Sequence, residues 1–184
     1  MLIFELKLEA ESLKIVSKIP ITTRFATAED LDSINSENYG FYSGDKKYIQ
    51  ERMKHGDKCL LSIWENEIVG YGCIMKDKME LSQYTHIPLP EKKVYTYKGY
   101  VAKEFRGKRV IGVNDMEKIK YFRKEKKEYW LTCIDKKNTA SIKARERLSF
   151  RKIGKIVQIV FFGFHYDYIS KKDLDRVQHY ETHL

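Results

Sequence analysis

The chain has 184 residues, 42% hydrophobic and 33% charged, with a formal net charge of +9. That is enough for one domain with a real core. No apolar run approaches the ~20 residues of a membrane span, Met1–Lys7 is too soon charged for a signal peptide, and Cys59, Cys73 and Cys133 form no Cys-x-x-Cys pair, so a membrane anchor, a disulfide framework and a metal site are not expected and a reducing, cytoplasmic setting is.

In chain order, Ile15–Phe25 reads as a first strand. Thr27-Ala-Glu-Asp30 starts a short helix with a side-chain cap and an acid three positions on, followed by Leu31 and Ile34. Asp45–His55 is a second helix, with Tyr48, Ile49 and Met53 at helical spacing. Lys58–Trp64 and Ile68–Met75 are strands joined by a tight hairpin at Glu65-Asn-Glu67. Met79–Lys93 holds Pro88 and Pro90 and reads as a loop. Val94–Val101 is rich in β-formers and is a strand. Val113–Lys127 is a helix, Glu128–Asp135 a strand, and Asn138 is placed to cap a helix over Thr139–Leu148. Val157–Phe164 is a long apolar strand, and Leu174, Val177 and Tyr180 suggest a short terminal helix. The order βααβββαβαβ implies one α/β layer structure.

The positive charge is concentrated. Lys103–Lys127 holds ten Lys/Arg against four Asp/Glu, and Lys136–Lys155 holds eight against one. Such a field suits a nucleotide-like cofactor or a nucleic acid, although much of Arg123–Lys127 equally suits a solvated helix face. Within this region, Val101-Ala-Lys-Glu-Phe-Arg-Gly-Lys-Arg-Val-Ile-Gly112 is a strand end, a turn and a helix start. Free N–H groups and the positive end of a helix dipole then meet at one point, which suits a phosphate.

Four segments over Ile21–Phe164 together resemble the GCN5-related N-acetyltransferase (GNAT) superfamily. Thr23-Arg-Phe-Ala-Thr-Ala-Glu-Asp-Leu31 resembles that family's first strand and helix, and Glu65-Asn-Glu-Ile-Val-Gly-Tyr-Gly72 its second hairpin. Val101–Gly112 resembles its acetyl-CoA motif, Val-x-Pro-x-x-Arg-Gly-x-Gly-x-Gly/Ala. Asn138-Thr-Ala-Ser-Ile-Lys-Ala-Arg-Glu-Arg-Leu-Ser-Phe150 resembles its Asn-x-x-Ala/Ser…Leu-Gly-Phe motif, and the gap from Arg106 to Asn138 is the usual one.

The resemblance implies a single-domain α/β fold. A mixed central sheet of six to seven strands would splay between strands 4 and 5, with helices on both faces. Residues 15–170 would form the acetyltransferase domain, 1–14 an N-terminal extension and 171–184 a C-terminal helical tail. It implies acetyl-CoA, or another acyl-CoA, as co-substrate without a metal. Pyrophosphate would lie on Arg106, Gly107, Lys108, Arg109, Val110, Ile111 and Gly112, and pantetheine along Val101, Asn138 and Ser141. The reaction implied is direct acyl transfer to the amine of a small molecule or peptide; a nucleic-acid partner is not expected, and the protein would be a monomer or homodimer.

Four positions depart from the family pattern. Lys103 replaces a proline, Arg109 and Ile111 replace small residues, and Arg145 stands where many relatives carry a tyrosine acid. Ile111 and Arg145 support the alternative of a CoA-binding or sensor module with impaired catalysis. Candidates for the base are Tyr97, Glu80 and His86, each with a plainer reading as packing or solvated surface. Cys133 reads as a core residue. Tyr39, Phe41, Tyr42, Tyr84 and His86 are the expected walls of the acceptor site.

Overall fold

The computed structural model describes residues 1–8, 15–33, 43–80, 85–161 and 164–178. Ile34, Tyr39, Phe41, Tyr42, Tyr84 and Tyr180 lie outside them. In chain order the elements are β1 (Leu2–Lys7), β2 (Thr22–Phe25), α1 (Ala28–Ser33), α2 (Ser43–Lys54), β3 (Lys58–Trp64), β4 (Glu67–Met75), β5 (Lys78–Glu80) and β6 (His86–Pro88). They continue with β7 (Lys93–Val101), a 3-10 turn at Lys103–Phe105, α3 (Val110–Lys124), β8 (Tyr129–Ile134), α4 (Thr139–Arg147), β9 (Arg151–Phe161), β10 (Phe164–Ile169) and α5 (Lys171–Gln178). The architecture is α/β, as expected. Internal contacts divide it into two compact units, one from residues 1–9, 76–95 and 126–184, the other from 10–75 and 96–125. The division cuts β7 after Tyr95.

In the first unit the strand order is β10-β9-β1-β8-β7. The strand at Leu2–Lys7 is a departure from the sequence reading, which began the strands at Ile15. It pairs antiparallel with β8 from Leu2↔Ile134 to Lys7↔Tyr129 and with β9 on its other side. Ile3, Phe4 and Glu5 alternate between the two faces of the sheet and all three are buried, so both faces are covered at this strand. The buried Glu5 carboxylate is matched by an equally buried Lys93. Lys93 Nζ lies 3.1 Å from Glu5 Oε2, donates to the Arg176 carbonyl at 2.7 Å, and sits 5.3 Å from the Tyr129 ring centroid. One ammonium thereby ties β7, β1 and α5 together. Below α4, Trp130 is fully buried and meets Phe150 edge-on at 4.9 Å.

In the second unit the order is β7-β4-β3-β2. The first strand here is Thr22–Phe25, shorter than the Ile15–Phe25 expected. The α1 cap forms as the sequence predicts: the Asp30 N–H donates to Thr27 Oγ1, and the Thr27 N–H donates to Asp30 Oδ2 at 2.7 Å. Glu65 and Asn66 take φ of 47° and 70°. That is the left-handed pair a two-residue hairpin needs to match strand twist. Leu31, Ile49, Cys59, Leu61, Tyr71 and Cys73 form one buried cluster, and Val69, Ala102, Phe105 and Val110 form another. The second cluster fixes the end of β7 and the start of α3, and so positions the turn between them.

Candidate functional site

The turn starts from a buried anchor. The Ala102 N–H donates to Val69 O at 2.9 Å, and Phe105 packs against Trp64 with ring centroids 5.3 Å apart. The chain then reverses through Gly107, at φ 75°, and Arg109, at φ 65°. The helix begins at Val110, three residues earlier than the sequence predicts. Arg109 is its N-cap residue, gives it no side-chain cap, and the first turn carries no acid. The first N–H groups of a helix have no partner within it, so Val110, Ile111 and Gly112 present donors at an end whose dipole charge is not neutralised. This is a site an anion fits.

The three cations around the turn differ. Arg106 is exposed; its Nε donates to Val101 O at 3.0 Å, and its guanidinium lies 5.8 Å from the Tyr100 ring centroid. Lys108 Nζ lies 4.9 Å from the Phe105 ring centroid. Arg109 is exposed and pays for its left-handed backbone, a conformation that costs a side-chain-bearing residue about 1–2 kcal/mol. The backbone angle explains why glycine suits this position in the pattern the sequence resembles. Ile111 is half-buried, while Val110 and Gly112 are buried.

Of the candidate bases, Tyr97 sits on β7 in the second unit. Its hydroxyl donates to Asp57 Oδ2 at 2.7 Å, and Arg52 grips the same carboxylate with Nε at 3.0 Å and Nη2 at 2.9 Å. Burial pushes the Tyr97 phenol far above its ordinary range, and the neighbouring Cys73 and Asp57 push it further. The phenol therefore keeps its proton. Arg52 and Asp57 were not singled out by sequence; the i, i+5 spacing across a helix end carries no recognisable signal.

Glu80 and His86 belong to the first unit. The expected loop at Met79–Lys93 contains a short ribbon, β5–β6, in which Glu80 and His86 are directly opposed. The side chain of Glu80 lies 3.0 Å from Lys78 Nζ, and His86 is exposed. Residues directly opposite on antiparallel strands have Cβ atoms about 4.5–5.5 Å apart. The two side chains thus share one face of the ribbon.

Also in the first unit, Asn138 caps α4, its Oδ1 accepting the Ser141 N–H at 3.1 Å. The Arg145 guanidinium sits beside two aromatic rings, 5.1 Å from the Trp130 centroid and 5.3 Å from the Phe150 centroid. Burial pushes the Cys133 thiol up to about 12, so it stays protonated. Among the described residues, no three His, Cys, Asp or Glu side chains converge to hold a metal, and no helix is long and apolar enough to cross a membrane.

Solved structures share this fold at low identity. A transcriptional regulator from Bacillus halodurans C-125 superposes with a TM-score of 0.58 at 14% identity, over 77% of this chain and 100% of that one. A GNAT family acetyltransferase from Elizabethkingia anophelis with acetyl-CoA bound gives 0.57 at 17%, over 81% and 94%. An aminoglycoside acetyltransferase from an uncultured soil metagenomic sample, in complex with sisomicin, gives 0.52 at 17%, over 78% and 95%. No protein-family model and no curated protein matches the sequence. The chain has the fold of the GNAT acetyltransferases.

Proposed function

We propose that the protein is an acyl-CoA-dependent N-acyltransferase that moves an acetyl group from acetyl-CoA to a primary amine of a small molecule or peptide. The observation that carries this reading is the uncapped, acid-free N-terminus of α3 behind the Arg106–Arg109 turn. Val110, Ile111 and Gly112 supply backbone donors for a pyrophosphate, and Arg106, Lys108 and Arg109 supply charge. Acetyl-CoA, when bound, supplies an acyl group already activated as a thioester. The solved neighbours that hold acetyl-CoA and sisomicin support the cofactor class and a small-molecule amine acceptor.

The amine must lose a proton before it attacks, so a base is needed. His86, opposed to Glu80, is the proposed proton acceptor, with Glu80 orienting it. Tyr97 is proposed as a structural donor to Asp57 because its phenol keeps its proton. Asn138 and Ser141 are proposed to bind pantetheine through groups that the α4 cap does not use.

A second reading has specific support. Arg145 is spent on Trp130 and Phe150 rather than offered as an acid, and one solved structure of this fold is described as a transcriptional regulator. The alternative is a CoA-binding sensor without transfer. Release of free thiol from acetyl-CoA separates the two, measured with a panel of aminoglycosides, polyamines, amino acids and peptides. Amine-dependent thiol release supports the enzyme; CoA binding with no release across the panel supports the sensor.

A further inference from the structure

The segment Ile15–Ile21, expected to be strand, crosses the base of the turn instead. The Ser17 hydroxyl donates to Lys108 O at 2.9 Å, and the Lys18 N–H donates to the same carbonyl at 3.1 Å. Ser17 Oγ also accepts the Ile19 N–H at 3.3 Å, which fixes the hydroxyl's direction. The segment's other end meets α3 at Gly112. A Cβ added there would come 2.8 Å from Ile15 Cγ2, closer than carbon atoms pack. Beside these two pins lies an open groove of about 490 Å³ lined by the segment and Val113. Ile19 and Ile21 also pack against the cluster of Val69, Ala102, Phe105 and Val110, so the two pins add directional contacts to apolar packing in holding the segment to the turn.

Lys108 immediately precedes the left-handed Arg109, whose conformation aims the first N–H groups of α3. Fixing the Lys108 carbonyl from outside removes the peptide-plane rotation by which Arg109 would relax. We propose that Ile15–Ile21 is a strap that holds the pyrophosphate turn in its anion-binding shape, with Ser17 as positioning residue and Ile15 as anchor. The inference rests on the CoA reading above. It reassigns the requirement at Gly112: a side chain is excluded there by Ile15, not by an approaching phosphate. Exposed Lys18, brought to the turn by its own backbone bond, adds a further cation beside Arg106, Lys108 and Arg109.

The test is calorimetric titration of the full chain with CoA and with pantetheine, which lacks the pyrophosphate. Gly112→Ala is expected to weaken CoA about tenfold, by the strain of forcing a methyl against Ile15. Adding Ile15→Ala to Gly112→Ala should recover most of that loss. Ser17→Ala should weaken CoA by about threefold to tenfold, and Ser17→Thr, which keeps the hydroxyl, should not. Pantetheine affinity should stay constant throughout, which a general loss of fold would not allow. If Ile15→Ala fails to rescue Gly112→Ala while Ser17→Ala binds CoA normally, the strap is overturned and the CoA reading stands. If the wild-type chain does not bind CoA, both fall together. Should Gly112→Ala not fold, the Ser17 pair decides alone.

Discussion

The Tyr97 hydroxyl donates its proton to Asp57, at 2.7 Å, while Arg52 holds both oxygens of the same carboxylate. A strand, a helix end and the turn after it are locked by three side chains of which two are charged. Tyr97→Phe leaves Asp57 its Arg52 bonds and should cost about 1–2 kcal/mol. Asp57→Ala removes the partner of both neighbours and should cost about 3–5 kcal/mol. Urea unfolding checks the order of the two. Because the phenol titrates above the ordinary range, Tyr97→Phe should also leave the pH profile of turnover unmoved.

His86 and Glu80 make the opposite prediction. Their direct opposition on β5–β6 pairs the proposed base with the carboxylate proposed to orient it. His86→Ala should lower kcat by about 10²-fold or more, with CoA affinity unchanged. Glu80→Gln should lower it less. The proposal for this pair fails if His86→Ala turns over at the wild-type rate.

Arg109 carries two opposed effects that one substitution separates. At φ 65° it is strained, so Arg109→Gly should raise stability by up to about 1 kcal/mol, less the backbone entropy glycine brings to the unfolded chain. The same change removes a cation, so CoA affinity should fall, and its dependence on salt should weaken. Arg109→Val should lose on both counts. Thermal melting and titration at two salt concentrations read the two effects apart.

The sequence was legible where structure is local. The Thr27/Asp30 box, the Glu65-Asn66 hairpin and the Asn138 cap each depend on residues within three or four positions, and each is where the pattern places it. The turn at Arg106–Arg109 was legible for the same reason. What failed was long-range. Leu2–Lys7 has no local signal of its place, because its partners are Tyr129–Ile134 and Arg151–Lys155. The ribbon β5–β6 has strands of three residues, one ending in proline, too short to show a period. Nothing in the sequence reveals that Ile15, nearly a hundred residues earlier, lies against Gly112.

The same long-range logic governs the buried pair Lys93–Glu5. Lys93→Met leaves the Glu5 carboxylate buried without this ammonium and the Arg176 carbonyl without this donor, and should cost about 3–5 kcal/mol. Glu5→Gln should cost less, since an amide still offers an acceptor. The double replacement Glu5→Leu/Lys93→Met should be milder than Lys93→Met alone, because no charge is left buried. A double-mutant cycle by chemical unfolding measures this. Additive losses would mean that the pair does not act as one unit.

In the function proposed above, the uncapped start of α3 holds the pyrophosphate of CoA. The most direct measurement is the melting temperature of the full chain with and without acetyl-CoA, alongside the charge-reversed variant Arg106→Glu. A ligand at 100 times its Kd stabilises the folded state by about 2.7 kcal/mol. The wild type should rise in melting temperature by several degrees, and Arg106→Glu by clearly less. No rise with acetyl-CoA or any other CoA ester, or an equal rise in the variant, would contradict this reading.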